Sequence, residues 1–501
     1  MNGFLKSLLD VFKEPSVIIG LIALLGLTLQ RKSLSDTVKG TVKAFVGFLV
    51  LAAGAGVVSG ALTPFGDMFQ HAFGVQGVVP NNEAIVGEVL TQFGSQAALI
   101  FFFGMVVNVV LARFTRLKFI YLSGHVAIYL AAMIAVILMS NGFAGWEAVL
   151  WGSLAQGLIT TLSPALVHPW VRAVTGRDEV AIGHTGGFGI WFAGLVGRIC
   201  GGRTTTAADG AHGPKAGPRS KSTEDLKIPQ GLGFLRDTTV VIAVSMGVVY
   251  LVVTLVAGAG YVESTLSNGQ WYLIWALMQA GKFAAGVFVI LAGVRAVLAE
   301  ILPAFKGISE KLVPSAKPAL DVPILFTFAP NAVLIGFLAS FVGGLLGMGV
   351  LVAVGGTVVI PGVVAHFMTG AAAGVVGNAT GGRRGAVLGA LANGLLITFL
   401  PLLVLPYLGS TGLKNSTFSD ADFGVAGLLL GGTAHWGKFA LIGLIVLGLA
   451  AVFIGSGAVG RRTATAAAIA KEAEETEADE SDAAKPGADA DKTGAAATKK
   501  P

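Results

Sequence analysis

The sequence is poor in the residues from which soluble enzymes build their sites. One cysteine, Cys200, stands among 501 residues, which excludes an internal disulfide framework and any CxxC metal or redox motif. A small residue at a helix end is the role left to it. Charged residues make up only 12% of the chain against 54% apolar, with a mean hydropathy of +0.77, well above what soluble globular domains carry. No P-loop, Walker lysine or zinc motif is present, so neither a metal nor a cofactor is expected. If the chain drives transport, the energy comes from an ion gradient or another polypeptide. The net charge is +6, and the basic excess belongs to the membrane body before residue 461, which reflects topology, with no nucleic-acid partner implied.

What the chain has in abundance is apolar runs of roughly 20 residues, long enough to cross about 30 Å of hydrocarbon. They recur along its whole length, so the pattern is helical and not the alternation of a closed barrel. The reading is an all-α polytopic membrane protein with about 11 transmembrane helices. Glycine, 71 residues, lies mostly inside the runs, which suits close helix packing and interrupted helices. Lysine and arginine cluster at 31–43, 113–118, 172–236, 295–317, 383–384 and 461–462, which marks cytoplasmic loops. Stretches 65–112, 140–150, 259–270 and 406–437 hold at most one basic residue and face out. Threading the chain through that alternation puts spans near 16–30, 44–63, 95–112, 119–140, 146–166, 238–258, 271–294, 324–345, 346–367, 385–407 and 438–458. The N-terminus is then outside the plasma (inner) membrane and the C-terminus cytoplasmic.

Three segments do not fit a simple span. Residues 1–14 are amphipathic, lack a small-residue cleavage site and read as an interfacial helix. The piece "HTGGFGIWFAGLVGRICGG", about half a membrane thickness, reads as a re-entrant half-helix, followed over 201–231 by a polar, basic, solvated cytoplasmic loop. Residues 461–501 hold 9 of the 28 carboxylates and are expected to form a disordered cytoplasmic tail. An internal echo pairs "VVPNNEAIVG" and "LSGHVAIYL" with "FAPNAVLIG" and "MTGAAAGVV". It suggests two inverted five-helix repeats, about 15–200 and 232–430, before a last helix at about 438–458.

The polar residues inside these runs are the candidates for chemistry. "AIGHTGGFG" places His184 and Thr185 at the mouth of a half-helix starting near Gly186, whose free N–H groups and positive dipole end suit an anionic or multiply hydroxylated ligand. A second Gly-His pair sets His125 and Tyr129 one turn apart on one helix face. Asp321 opens a run broken by Pro323 and Pro330, where it serves either as a ligand-binding carboxylate or as a helix N-cap. Asn82 and Glu83 read equally as external loop residues or as ligand contacts. Lys282 and Glu300 are expected to snorkel or pair at bundle edges.

These stretches, with "LQRKSLSDTVKGTVKAFVGFLVLAAGAG", "STEDLKIP", "AFKGISEKLVPSA" and "ALDVPILFTFAPNAV", together resemble the membrane (IIC) permease of the ascorbate-type phosphoenolpyruvate-dependent phosphotransferase system. The resemblance runs in order over about residues 15–460. It implies an eleven-span homodimer, elevator-like alternating access, and L-ascorbate or a related acidic sugar derivative as substrate. The substrate site it implies comprises His125, Tyr129, His184, Thr185, Asp321, Asn82 and Glu83, with Gly54 and Ala55 from "AGAG". The chain departs from the best-known members at Tyr129 and Thr185, where they carry glutamine, and at Ala55, where they carry serine. The resemblance also implies that the protein is not itself an enzyme. Phosphoryl transfer falls to separate cytoplasmic IIB and IIA proteins, the donor cysteine lying on IIB. Two readings compete: an ion-coupled secondary transporter of a small anionic or polyhydroxylated solute, and a passive channel or structural membrane protein.

Overall fold

The structure is a computed structural model that describes residues 15–74, 77–201, 221–226, 238–408 and 416–455. The helix expected over 1–14, most of the loop over 201–231 and the tail over 461–501 lie outside the described residues. Residues up to Leu449 form one compact unit.

The unit is built almost entirely from helices whose ends the sequence punctuates. α1 (Pro15–Leu29) leads into α2 (Leu34–Phe73), which is capped by Ser33, whose Oγ accepts the Asp36 N–H at 3.1 Å, and closed by Gly74 at φ 68°. α3 (Asn82–Phe114) is capped by Asn81, whose Oδ1 takes the Ala84 N–H at 2.7 Å. α4 (Gly124–Ser140), α5 (Gly145–Thr175) and the short α6 (Gly187–Cys200) complete the first half. The second half runs α7 (Thr238–Ala257), α8 (Tyr272–Leu312), α9 (Pro330–Val354), α10 (Val363–Tyr407) and α11 (Ala421–His435), followed by α12 (Lys438–Gly455). Among the described residues six helices (α2, α3, α8, α9, α10 and α12) are long and apolar enough to cross a membrane. The bent pair Ile242–Ala257 and Ala259–Leu266 makes a seventh if counted as one span.

α2 and α8 meet backbone to backbone. A Cβ on Gly54 would sit 2.6 Å from the Ile290 nitrogen, and one on Gly47 3.0 Å from the Gly293 carbonyl oxygen, an approach only small residues permit. The expectation for Glu300 holds at this seam, where it pairs with Lys43 at 3.9 Å.

Among the described residues six short strands interrupt the helices. β1 (Gly77–Pro80) lies between β5 (Val358–Val359) and β6 (Ser416–Thr417), and β4 (Lys317–Leu320) lies between β2 (Phe119–Tyr121) and β3 (Ala181–Ile182), all parallel. Extended backbone inside a membrane must have its polar groups satisfied by protein, and these strands satisfy one another. Where β2 lacks a neighbour, Asn108 of α3 supplies one. Its fully buried amide donates to the Phe119 carbonyl (3.2 Å) and accepts the Tyr121 N–H (3.0 Å).

Several expected boundaries are corrected. No turn falls at 345–346: α9 runs through it as one helix, with Gly343 and Gly347 packed against α10, and the chain breaks instead at Gly355 and β5. The expected span from 119 begins as strand β2, and α3 starts thirteen residues before the expected 95 because it bends at Phe93 (φ −124°, ψ 20°) and continues. α10 is two arms joined at Gly382 (φ 62°, ψ −151°), which fold back so closely that a Cβ on Gly377 or Gly385 would overlap the other's carbonyl oxygen. The stretch 406–437, which the threading gave no span and placed facing out, carries strand β6 and the half-length helix α11. Inside the long loop, residues 221–226 are docked: Glu224 accepts the Asn331 and Ala332 N–H groups at the start of α9 (3.2 and 3.0 Å), and Arg383 Nε donates to the Ser222 carbonyl (2.8 Å).

Candidate functional site

The expected break at "AIGHTGGFG" is present, and it has a partner. β3 ends at Ile182, the chain turns through His184 and Thr185, and α6 starts at Gly187. Opposite it, β6 ends at Thr417, the chain turns through Ser419 and Asp420, and α11 starts at Ala421. The two half-helices meet at their N-terminal ends. The Asp422 N–H donates to the Thr185 carbonyl at 2.7 Å, and the Phe188 N–H and the Ser163 hydroxyl both donate to the Asp422 carboxylate at 2.5 Å.

This interlock corrects the reading of α6 as an open anion cradle. Its first N–H groups are already taken, Gly186 by His184 Nδ1 (2.8 Å), Gly187 by the His184 carbonyl (3.0 Å) and Phe188 by Asp422. The helix end has drawn its negative charge from the protein itself. Because Nδ1 of His184 accepts from Gly186, its Nε2 carries the proton when the ring is neutral, and Nε2 lies 3.8 Å from Asp321 Oδ1.

Most of the expected site residues converge here. His125, at the first turn of α4, points Nε2 at Asp321 Oδ2 from 3.5 Å, so Asp321 stands between the two histidines. Asp321 follows β4 directly, and its Oδ1 accepts the next backbone N–H, that of Val322, at 2.8 Å. It thus holds the adjacent backbone N–H and faces the histidines at once, and it is not the N-cap of the short helix Pro323–Phe326, which is Val322. Thr185 Oγ1 donates to Asp420 Oδ2 at 2.6 Å, Ser419 Oγ to Asp420 Oδ1 at 3.0 Å, and His184 Nδ1 is 3.9 Å from Asp420 Oδ2. Asn82 and Glu83 are not loop residues but the buried first turn of α3, and Asn82 Oδ1 accepts the Ser419 N–H at 2.9 Å. Tyr129 stands edge-on to His125, ring centroids 6.0 Å apart, as the shared face requires. Its hydroxyl and Glu83 Oε2 are buried without a hydrogen-bond partner. Gly54 is engaged elsewhere, in the α2–α8 seam, and the Ala55 side chain lies outside the described residues.

Two residues that sequence reasoning missed, Asp420 and Asp422, hold this junction together. A signal for them existed. "GGFG" at 186–189 and "ADFG" at 421–424 share a Phe-Gly pair, each six residues past a two-residue strand. The polar atoms and hydroxyls gathered around His125, His184 and Asp321 are suited to hydrogen-bonding a small hydroxyl-rich molecule.

Comparison with known proteins places this geometry in context. The family model EIIC-GAT, described as "PTS system sugar-specific permease component", matches residues 10–422. The "Ascorbate-specific PTS system EIIC component" of Mycoplasma pneumoniae is 27% identical over 452 residues, covering 80% of this chain. The match spans 66% of that relative's length, just under two thirds.

Proposed function

Since the chain belongs to the family of PTS sugar-specific permease components, we propose that it binds L-ascorbate or a related acidic sugar derivative and carries it inward while a separate IIB protein phosphorylates it. The single observation that carries this reading is the convergence of His125, His184 and Asp321, drawn from three separate chain breaks, at the meeting point of two half-helices. Tyr129, Thr185, Asn82 and Glu83 complete the site. The histidines and the aspartate orient ligand hydroxyls, and the buried Tyr129 Oη and Glu83 Oε2, which have no hydrogen-bond partner, gain them from the ligand.

The inverted repeat belongs to the same reading, and the strand register supports it. Pairs 79↔416 and 80↔417 match 319↔181 and 320↔182, and 77↔358 matches 317↔119. Each sheet then takes its central strand from one half of the chain and its two outer strands from the other. With α10 divided at Gly382, each half supplies five helices and a half-helix, and α12 makes the eleventh crossing. The glycine-packed α2–α8 pair serves as the scaffold past which the site-bearing helices move in an elevator-like step. A homodimer, with the N-terminus outside and the C-terminus cytoplasmic as the basic clusters direct, completes the proposal.

Calorimetric titration of L-ascorbate into the purified protein tests it, wild type beside Asp321→Asn and His184→Ala. Saturable binding in the wild type, weakened at least tenfold by either substitution in a folded variant, is expected. A folded wild type that binds no ascorbate or related sugar acid refutes the substrate.

A further inference from the structure

The charge of this site does not match the substrate it is proposed to carry. Four carboxylates, Glu83, Asp321, Asp420 and Asp422, surround it. Among the described residues no lysine or arginine lies within ion-pair distance of any of them. Their nearest cationic candidates are His125 and His184, which are neutral or singly charged. An anionic ligand entering this group meets a negative field that little solvent screens.

The geometry also says where a compensating proton goes. All four oxygens of Asp420 and Asp422 already accept hydrogen bonds, from Thr185, Ser419, Phe188 and Ser163. Asp321 gives one oxygen to the Val322 N–H and lies between the two histidines. Five of these six oxygens thus already have a donor, and the sixth, Asp321 Oδ2, faces the His125 ring at 3.5 Å. Glu83 Oε2 alone is buried with no donor at all. Glu83 lies next to Asp420 because Asn82 and Ser419, the residues before each, are hydrogen-bonded.

We propose that, on the permease reading above, this site takes up one proton with each anionic ligand, at the Glu83 carboxylate beside Asp420. The ligand is thereby held in a group whose net charge does not rise, and the new carboxylic O–H, with the Tyr129 hydroxyl, becomes a donor toward it. The groups that face Glu83 or its neighbours are Asn81 on its own turn, Tyr129 and His125 on α4, Tyr121 on β2, His184 on the β3–α6 turn, Asp321 after β4, and Asp420 and Asp422 at α11. Arg295 on α8 acts on His125. A neutral alditol has no charge to balance and binds without a proton.

The test is calorimetry of the full-length protein with L-ascorbate and with a neutral six-carbon alditol, from about pH 5.5 to about pH 8.5, in two buffers of different ionisation enthalpy. The expected result is ascorbate affinity that falls toward tenfold per pH unit at the upper end, with buffer-dependent heats reporting close to one proton taken up, and neither effect for the alditol. Glu83→Gln, which cannot ionise, is expected to lose the ascorbate slope. Ascorbate bound with no proton uptake overturns the inference and leaves the permease reading standing. A slope that survives Glu83→Gln and vanishes in His125→Gln also overturns it, by moving the proton to the imidazole. A folded protein that binds neither ligand overturns the substrate reading and this inference with it.

Discussion

Replacing Asp422 by alanine tests whether the two half-helices are held by the bonds described. The side chain is 6% exposed and accepts from the Phe188 N–H of α6 and from Ser163 of α5. Alanine removes a carboxylate cap, worth about 0.5–2 kcal/mol, and leaves a half-buried N–H and a half-buried hydroxyl short of an acceptor, at about 1–3 kcal/mol. The expected loss is therefore about 1.5–5 kcal/mol. Asparagine keeps one carbonyl oxygen for Phe188 and offers its amide to the Ser163 oxygen, so Asp422→Asn is expected to lose under about 1.5 kcal/mol. Thermal unfolding in detergent, followed by the surviving monodisperse peak on size exclusion, ranks the two. Stability shifts the midpoint by about 2–4 °C per kcal/mol in domains of 150–250 residues and by less in a chain this long. The alanine variant is thus expected several degrees below the asparagine variant. Alanine and asparagine melting together at the wild-type midpoint would refute the interlock as a source of stability.

Other substitutions probe the elements that place the site. Asn108→Leu removes the side chain that completes the β2 edge and orphans the Phe119 carbonyl and the Tyr121 N–H, so a loss of about 2–4 kcal/mol is expected in the same melting assay, with weaker ligand binding because β2 leads into His125. Gly382→Ala forces a side chain into φ 62°, ψ −151°, a region essentially reserved for glycine, and is expected to cost about 1–3 kcal/mol, whereas Gly356→Ala, with open space around its Cβ position, serves as the control that melts near wild type. Asp178 is held down to about 2 by hydrogen bonds from Lys317 (2.6 Å) and His168 (3.0 Å). Its folded pKa lies below the unfolded one, so its contribution is fully present above about pH 4 and is lost as pH falls toward 2. Because the side chain is 53% exposed, Asp178→Asn is expected to lower stability by less than about 1 kcal/mol, with no change in that loss between about pH 5 and pH 8.

Much of this architecture is legible in the sequence, for reasons that differ by element. The apolar runs reveal α1, α2, α7 and α12 because lipid demands length and nothing else. His125, His184 and Asp321 are legible because a polar residue beside glycine or proline in such a run needs a reason, and the three meet within 4 Å. The proposed repeat is suggested by the sequence echo, but the strand register aligns its halves differently. Matching "VVPNNEAIVG" to "FAPNAVLIG" sets Pro80 against Pro330, whereas strand pairing sets Pro80 against Leu320, because the shared Pro-Asn pair is local while the register is made by strands from the opposite half of the chain.

The parts that stayed hidden have one cause in common. A break in a membrane helix leaves backbone groups whose partners come from elsewhere in the fold, so local sequence displays the demand and not the supplier. "AIGHTGGFG" displays the demand, since glycines and a polar ring cannot continue a helix in hydrocarbon. The supplier, Asp422, lies 238 residues from His184 in a stretch whose low basic content reads as an external loop. The same holds for the N-terminus of α6, whose free N–H groups the local sequence displays while Asp422, far along the chain, takes the Phe188 N–H. Glu83 differs from the other carboxylates in the group in that its Oε2 is both buried and without a donor. An architecture that satisfies all four oxygens of Asp420 and Asp422 from two chain breaks and α5, and leaves that one bare, has placed its unmet hydrogen bond where a ligand, or the proton that comes with it, can make it.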